Sequence, residues 1–271
     1  MKFSVLMSIY YKEKPEFFDR CMKSIWDEQT VKPNEIILVQ DGPLTNELNK
    51  IITKWQDKLG KILVLIPLSK NVGLGEALNI GLDKCKYELI ARMDTDDVAL
   101  PKRFEKQLKI FNEKHIDICG SWVSEFDNDE NKIISYRKVP EKQDEIVKFA
   151  KKRNPLNHPS VMYKKSSVLK AGGYQHMLWF EDYYLWVRMM LNGAKFYNIQ
   201  EPLLKMRAGY GQLERRRGFK YAMAEYNFLK ELKEIRFLNN LEFYKNILTR
   251  IPARLLPKSF IKQIYHIIRK K

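Results

Sequence analysis

Short apolar runs alternate with amphipathic stretches along the first hundred residues. Four runs are rich in β-branched and other apolar side chains and predict buried strands at residues 3–10, 35–39, 62–66 and 89–93. The segments between them repeat apolar residues at helical spacing and predict helices that begin at Pro15, 45 and 76. Strands that alternate with helices in this way predict an α/β fold with a parallel sheet and right-handed crossovers.

The pattern is less regular after residue 100. It predicts a basic amphipathic helix, a strand, a charged solvated helix and an apolar helix at residues 101–114, 117–122, 140–153 and 183–192. Gly172 and Gly173 predict the end of one more helix. Residues 200–202 predict a turn that leads into a short strand at 203–207. A loop at 209–211 and a helix that begins at Arg215 are predicted to follow.

Polar residues follow each of the first four predicted strands. They are Tyr10, Asp41, Asn71 and the acidic segment 94–97. The carboxyl ends of parallel strands meet at one edge of a sheet, and ligands of open α/β sheets bind there. The sequence therefore predicts a ligand site at this edge.

The acidic segment offers two interpretations. Asp94, Asp96 and Asp97 lie within four positions, and carboxylates this close repel one another unless a cation lies between them. Mg²⁺ and Mn²⁺ prefer such oxygen ligands, and they take their other ligands from water and substrate phosphates. Alternatively, Asp96 or Asp97 caps the helix that is predicted to begin at Pro101.

The positive net charge predicts an anionic partner. The chain has 271 residues, is 45% hydrophobic and carries a formal charge of +16, so general disorder is excluded and nucleic acid, an anionic membrane and a phosphorylated substrate remain open. Three scattered cysteines without disulfide or metal-ligand spacing favour a reducing compartment. No segment is typical of a secretory signal or a membrane span, so we expect a cytoplasmic protein.

Five motifs, in this order, resemble those of family-2 glycosyltransferases with the GT-A fold. The motifs lie at residues 4–11, 38–42, 71–81, 93–97 and 181–188. The resemblance covers about residues 3–210 and implies a Rossmann-like, mostly parallel sheet flanked by helices. It divides a catalytic domain at 1–210 into a nucleotide-sugar half, about 1–100, and an acceptor half, about 101–210. The chain has Gln40 before Asp41, where family members have a second acid.

The resemblance implies roles for individual residues on the donor side. Asp96 is the leading ligand of a Mn²⁺ or Mg²⁺ ion, Asp94 reaches the ribose or the metal, and Asp97 is a further metal candidate. The predicted nucleotide-binding residues are Ser8, Tyr10, Asp41, Asn71 and Asp94. Because Gln40 replaces an acid, recognition of the base falls on Asp41, for which a plain turn is the alternative.

The acceptor side is assigned in the same way. Asp182 is the predicted catalytic base, with Glu181 as the second candidate, and the alternative is a pair of helix-capping acids over buried aromatics. The resemblance places His158, Trp179 and Arg207 on the acceptor or diphosphate side. Direct displacement by this machinery inverts the anomeric centre, so an α-linked nucleotide sugar gives a β-glycoside.

The last sixty residues have a different character. Residues 211–271 predict a helical, basic and amphipathic extension, and eight basic residues face one acid from Leu241 onward. Pro252 and Pro257 are predicted to divide this stretch into short pieces that lie on an anionic membrane surface. The alternative is that its apolar stripe packs against the catalytic domain.

These expectations combine into one function. The sequence predicts an inverting, metal-dependent hexosyltransferase whose donor is a UDP-hexose, either UDP-glucose or UDP-galactose. The predicted acceptor is a polyprenyl-diphosphate-linked saccharide in O-antigen or capsule synthesis, at the inner face of the cell membrane. A nucleotidyltransferase is one alternative, but residues 10–13 lack the glycine-rich loop that it needs. A nucleic-acid-binding module is another, but the basic residues concentrate in the tail, so no nucleic acid is expected.

Overall fold

A nine-stranded mixed sheet forms the centre of the computed structural model, which describes residues 1–208 and 216–255. In chain order the strands are β1 (Phe3–Ile9), β2 (Glu35–Gln40), β3 (Leu63–Pro67), β4 (Leu89–Arg92), β5 (Val98–Ala99), β6 (Ile118–Phe126), β7 (Ser135–Arg137), β8 (Met162–Lys164) and β9 (Phe196–Arg207). Their order across the sheet is β3-β2-β1-β4-β8-β6-β9-β5, with β7 paired to β6.

Nine helices surround the sheet within the described part of the chain. They are α1 (Pro15–Ile25), α2 (Asn46–Leu59), α3 (Leu74–Lys84), α4 (Arg103–Glu113), α5 (Gln143–Ala150), α6 (Lys165–Lys170), α7 (Glu181–Leu191), α8 (Gly218–Glu234) and α9 (Asn240–Leu255). Short 3₁₀ turns occupy Gly60–Ile62 and His158–Ser160.

The first four strands are parallel, as the sequence predicts. Strand β1 lies between β2 and β4, with Ile9 opposite Gln40 and Leu6 opposite Arg92. The carboxyl ends of all four strands therefore meet at one edge. Strand β8 then pairs antiparallel with both β4 and β6, while β6 and β9 are parallel to each other, so the second half of the sheet contains both directions.

Both faces of the sheet are covered, which explains why the strands are apolar at nearly every position. Along β1, Val5 and Met7 pack with α1 and α2, whereas Leu6 points to the opposite face and packs with α3 and α7. A third apolar cluster lies between α7 and the pair α8–α9 and includes Phe228 and Phe243. Helices α8 and α9 are thus packed against α7 of the predicted catalytic domain.

Two local predictions were wrong, and the strand β5 was missed. Residues 200–202 lie inside β9, where the register with β6 shifts on both sides of Trp122, and such an irregularity accommodates Pro202, which has no N–H to donate. The charged helix is limited to Gln143–Ala150, and Ile146 and Ala150 are fully buried in it. The two-residue strand β5, paired with β9, was not predicted.

The C-terminal extension also differs from its prediction. Pro252 lies inside α9 and does not divide it, because side chains on either side of it anchor the helix to α8. The predicted loop at 209–211, the start of a helix at Arg215 and the apolar residues after Leu255 lie outside the described residues. Among the residues that are described, no helix combines the length and apolarity of a membrane span.

Candidate active site

The acidic segment leaves the sheet at the end of β4. Arg92, the last residue of β4, is 1% exposed and forms an ion pair with Asp94, whose side chain is 36% exposed. Beneath the segment, Nη2 of the buried Arg103 donates to the carbonyl oxygen of Arg92 at 2.6 Å. Two buried arginines thus hold the backbone of this turn and place positive charge below the carboxylates.

Asp96 and Asp97 have different environments. Burial, followed by the charges of Asp94 and Glu13, raises the pKa of Asp96 to about 7. Asp97 is 1% exposed, and its Oδ1 accepts a hydrogen bond from the backbone N–H of Arg207 at 2.8 Å. Its Oδ2 is buried and has no hydrogen-bond partner among the described residues. Asp97 therefore joins the turn to the end of β9 and still offers one oxygen.

Glu13 belongs to the same cluster and was missed in the sequence. Its carboxylate accepts a hydrogen bond from the hydroxyl of Thr95, between the two predicted metal ligands. Burial raises its pKa, and the charge of Asp94 acts in the same direction. The available signal was its position: it follows β1 in a turn closed by a 3.0 Å bond from its N–H to the Tyr10 carbonyl, at the same sheet edge.

These residues fit a divalent cation. Desolvation and mutual repulsion penalise the ionised carboxylates of Asp96 and Asp97, and a buried carboxylate oxygen of Asp97 lacks a partner. Across residues 1–208 and 216–255 no group of three or more His, Cys, Asp or Glu side chains encloses a metal. Mg²⁺ and Mn²⁺ sites of nucleotide enzymes commonly use only one or two carboxylates and complete the shell with water and phosphate.

Asp41 and Asn71 are brought together at the ends of β2 and β3. Asp41 is 3% exposed; its Oδ1 accepts from Val72 N at 2.7 Å, and its Oδ2 accepts from Asn71 Nδ2 at 2.9 Å and Gly73 N at 3.2 Å. Gly42 has φ +89°, and a Cβ there would lie 2.8 Å from Asn71 N. The carboxylate therefore shapes the 71–73 loop, a role that the sequence did not reveal.

The other predicted nucleotide residues lie at the end of β1. Ser8 is half-buried opposite Val39 of β2, and Tyr10 is 40% exposed with its ring 5.8 Å from that of Tyr11. Both are thus at the sheet edge that carries Asp41 and the acidic segment. Their contact with a nucleotide stays a prediction.

The acid pair occupies the first turn of α7. Asp182 Oδ2 accepts from Asn154 Nδ2 at 2.7 Å, and its Oδ1 accepts from the Tyr183 N–H at 2.7 Å. Burial raises the pKa of Asp182, while burial and the neighbouring Asp182 charge raise that of Glu181 to about 7. Glu181 lies against the start of α3, since a Cβ on Gly75 would be 3.8 Å from its Cβ, and it interacts electrostatically with Arg92 and Asp94.

His158 begins the 3₁₀ turn that precedes β8. Its Nε2 is 2.9 Å from the hydroxyl of Tyr174, and its ring is 5.9 Å from that of Trp186. Burial, reinforced by the charge of Arg92, lowers its pKa well below the usual value, so the imidazole is neutral. Tyr174 is fixed in turn by two hydrogen bonds between its backbone and the side chain of Asn79 in α3.

Arg207 and Trp179 have different surroundings. The guanidinium of Arg207 donates to the Asp96 carbonyl at 3.2 Å and lies 3.6 Å from the centre of the Phe17 ring, so it is part of the carboxylate cluster. Trp179 precedes the acid pair, is 40% exposed and stacks on Tyr221 of α8. Of these two predicted acceptor residues, Arg207 thus belongs to the carboxylate cluster, whereas Trp179 belongs to an aromatic stack with α8.

The geometry is accompanied by a family match. Residues 4–171 match the model of the family described as glycosyl transferase family 2. The chain belongs to this family. This confirms the resemblance found in the sequence, and it makes the enzyme a glycosyltransferase with its predicted acidic segment inside the matched region.

Two relatives of this family-2 glycosyltransferase match it over nearly its whole length. The amylovoran biosynthesis glycosyltransferase AmsE of Erwinia amylovora is 40% identical over 271 residues, which are 99% of each chain. The UDP-Gal:alpha-D-GlcNAc-diphosphoundecaprenol beta-1,3-galactosyltransferase of Escherichia coli is 40% identical over 265 residues, 97% of this chain and 95% of its own.

Solved structures confirm the GT-A fold. S. aureus TarS 1–349 in complex with UDP-GlcNAc superimposes with a TM-score of 0.67 at 16% identity, over 94% of this chain and 72% of that one. The mannosyltransferase PcManGT from Pyrobaculum calidifontis, in complex with GDP-Man and Mn2+, gives a TM-score of 0.63 at 13% identity, over 94% and 72%. At such identities the likeness concerns the fold alone.

Proposed function

We propose that this glycosyltransferase moves a hexose from a UDP-hexose, UDP-glucose or UDP-galactose, to a polyprenyl-diphosphate-linked saccharide, with a β-glycosidic product, in O-antigen or capsule synthesis. The observation that carries the proposal is the position of the α7 acids. Glu181 packs against the start of α3, since a Cβ on Gly75 would lie 3.8 Å from its Cβ, and α3 directly follows the 71–73 loop that Asp41 holds at the carboxyl edge of the sheet. The relative that acts on GlcNAc-diphosphoundecaprenol, 40% identical, supports the acceptor class.

The nucleotide is proposed to bind along the ends of β1 and β2. Asp41 Oδ1 accepts one hydrogen bond within the loop, which leaves it one further accepting position for the N3–H of uracil. Ser8, Tyr10 and Asn71 complete this half of the site. Asp94 extends it towards the ribose, because β4 adjoins β1 in the sheet.

Asp96, with Asp94 and the free oxygen of Asp97, would hold a Mn²⁺ or Mg²⁺ ion. When bound, the ion neutralises negative charge that develops on the departing diphosphate. The arginines Arg92, Arg103 and Arg207 lie around these carboxylates, and their positive charges add to the stabilisation of negative charge there.

The chemical step requires a base that removes the proton of the acceptor hydroxyl. We assign the base to Asp182, which takes the proton of the acceptor hydroxyl while that oxygen bonds to the anomeric carbon and the bond to the UDP oxygen breaks. Asn154 and the Tyr183 N–H fix the orientation of its carboxylate. Glu181 is the second candidate, and we assign to the neutral His158 the role of orienting the acceptor or its diphosphate.

An anionic membrane surface is the proposed location of the lipid-linked acceptor, on the inner face of the cell membrane. Leu241, Tyr244, Leu248 and Leu255 form a helical stripe on α9 and are 56–78% exposed. Residues 256–271 follow with five basic residues and no acid in the sequence. Apolar side chains next to positive charge are typical of segments that bind anionic lipid.

A donor and acceptor panel tests the function. The purified enzyme with Mn²⁺ is incubated with UDP-glucose, UDP-galactose, UDP-GlcNAc and GDP-mannose, and with GlcNAc-α-diphosphate carrying a short alkyl chain. Transfer from one UDP-hexose, with a β-linkage by NMR coupling constants, is the expected result. Transfer from GDP-mannose alone, or an α-linked product, would overturn the proposed donor class or the inverting mechanism.

A further inference from the structure

Trp179 has an unusual backbone conformation beside the acid pair. Its φ is +65°, and apart from Arg236 it is the only non-glycine residue with positive φ among those the structure describes. A bulky residue adopts this region only when its surroundings hold it there, and such residues concentrate at functional sites. The side chain nevertheless remains 40% exposed, two residues before Glu181.

The indole is supported from one side by α8. Its ring lies 5.0 Å from that of Tyr221 with an angle of 27° between the planes, which is a stacked geometry. The next residue, Phe180, stacks on Phe228, about two turns further along the same helix. Two consecutive aromatic residues are thus fixed by α8, and the Lys220 ammonium lies 6.0 Å from the centre of the Trp179 ring, while Trp179 keeps 40% of its surface exposed.

The support continues to α9 through a buried acid. Glu225 of α8 has a side chain that is 0% exposed and accepts hydrogen bonds from Arg250 Nε at 2.8 Å and Arg254 Nε at 2.7 Å. Only Arg254 of these two lies on the aromatic stack, with its guanidinium carbon 4.9 Å from the centre of the Tyr221 ring. The chain of contacts therefore runs from Glu225 to Arg254, Tyr221 and Trp179.

We propose that Trp179 is a stacking platform for a pyranose ring of the acceptor, and that Tyr221 and Arg254 are positioning residues for it. This inference rests on the proposed function, because it assumes a saccharide acceptor. The apolar C–H face of a pyranose and the flat face of an indole are complementary in shape and polarity. Trp179 lies two residues before Glu181, so a sugar that rests on the platform presents its hydroxyl groups towards Glu181 and Asp182.

The platform has a consequence for specificity within the family. The family match ends at residue 171, whereas Trp179, Tyr221 and Arg254 all follow it. The matched region contains the residues proposed to hold the donor. The acceptor sugar is then selected by the α7 entry and the α8–α9 pair, which follow the part of the chain that the family model matches.

The chain offers a matched pair of variants as a test. Arg250→Gln and Arg254→Gln each remove an ion pair from Glu225, but only Arg254 places its guanidinium on the Tyr221 ring, whereas Arg250 donates to the Lys152 carbonyl at 3.2 Å. Tyr221→Phe keeps the stacked ring and Tyr221→Leu removes it. With GlcNAc-α-diphosphate alkyl ester as acceptor, we expect the acceptor KM to rise roughly tenfold or more in Trp179→Ala, Tyr221→Leu and Arg254→Gln. The donor KM should stay unchanged, and Tyr221→Phe and Arg250→Gln should keep the acceptor KM of the parent.

Direct binding separates this inference from the proposed function. Saturation-transfer NMR with methyl pyranosides measures which sugar protons contact the protein and needs no turnover. Contacts that disappear in Trp179→Ala and Tyr221→Leu but persist in Tyr221→Phe support the platform, even if no UDP-hexose is transferred and the proposed function fails. Unchanged contacts in Trp179→Ala, or equal rises of the acceptor KM in Arg250→Gln and Arg254→Gln, would overturn it.

Discussion

Removing residues 256–271 and removing residues 243–271 should affect the enzyme in different ways. The shorter deletion leaves α9 intact, so the free energy of unfolding should change little while binding to anionic membranes weakens. The longer deletion takes away most of α9, including Phe243, Arg250 and Arg254. From the sequence we expected the longer deletion to spare the catalytic domain. The packing of α9 on α8 predicts instead that it destabilises the protein.

The magnitude follows from two buried groups. Glu225 would lose both of its cationic partners, and breaking a buried ion pair by removing one side costs ~3–5 kcal/mol. Phe243 is 6% exposed, and the loss of a buried aromatic side chain costs about 1.5–3 kcal/mol. Together these losses approach roughly 5–8 kcal/mol, against a total stability of ~5–15 kcal/mol for a typical domain. The melting temperature should fall by more than ~10 °C.

Thermal and urea melts of the two deletion proteins, with sedimentation on phosphatidylglycerol vesicles, measure both effects. The matched control is Glu225→Gln, which should destabilise the full chain but partly rescue the 243–271 deletion, because it removes the uncompensated charge. A 243–271 deletion that melts like the intact protein would refute this account of α9. Vesicle binding that is unchanged by the 256–271 deletion would refute the role of the tail.

Four further predictions follow from the site. Asp96→Ala should abolish transfer and weaken Mn²⁺ binding to the UDP complex in calorimetry, and full activity in a chelator would exclude the metal. Asp41→Ala should weaken UDP binding by ~1–3 kcal/mol and also lower the melting temperature, because the 71–73 loop loses three hydrogen bonds; a change in only one of the two would show which role is absent. Asp182→Asn should slow transfer ~10²–10⁴-fold with UDP affinity retained, and a larger loss in Glu181→Gln would exchange the two roles. Burial alone would raise the pKa of Glu225, but Arg254 and Arg250 hold this pKa below 4.5. The stabilising contribution of the Glu225 carboxylate is therefore present above pH ~4.5 and is lost as the pH falls through the lower pKa of the folded state. The melting temperatures of Glu225→Gln and the parent should accordingly converge in acid.

Local periodicity was enough for the donor half of the fold. A strand buried on both faces must be apolar at nearly every position, so β1, β2, β3 and β4 were visible in the sequence with their helices between them. Their parallel order then placed the residues after each strand at one edge. The acidic segment and Asp41 were found for this reason alone, before any contact between them was known.

Non-local partners decided the rest. Pro202 reads locally as a turn, but β6 provides a strand for it to join at a shift of register. Pro252 reads as a break, but Arg250 and Arg254 bind Glu225 on both sides of it and keep the helix continuous. In each case, interactions with a partner distant in sequence supplied the free energy that overcame the local preference for a turn or a break.

The roles of individual polar groups depended even more on tertiary structure. The sequence determined that Asp41 lies at a strand end, yet only the structure revealed that the 71–73 loop uses both of its oxygens. Glu13 had only its position after β1 to distinguish it until Thr95, from the segment after β4, was brought against it. Apolar patterning specifies which face of an element is buried, because burial repeats with the helix or strand period. Hydrogen bonds and stacked rings join side chains at unrelated positions, so the Trp179–Tyr221 stack existed only once α8 had packed on α7.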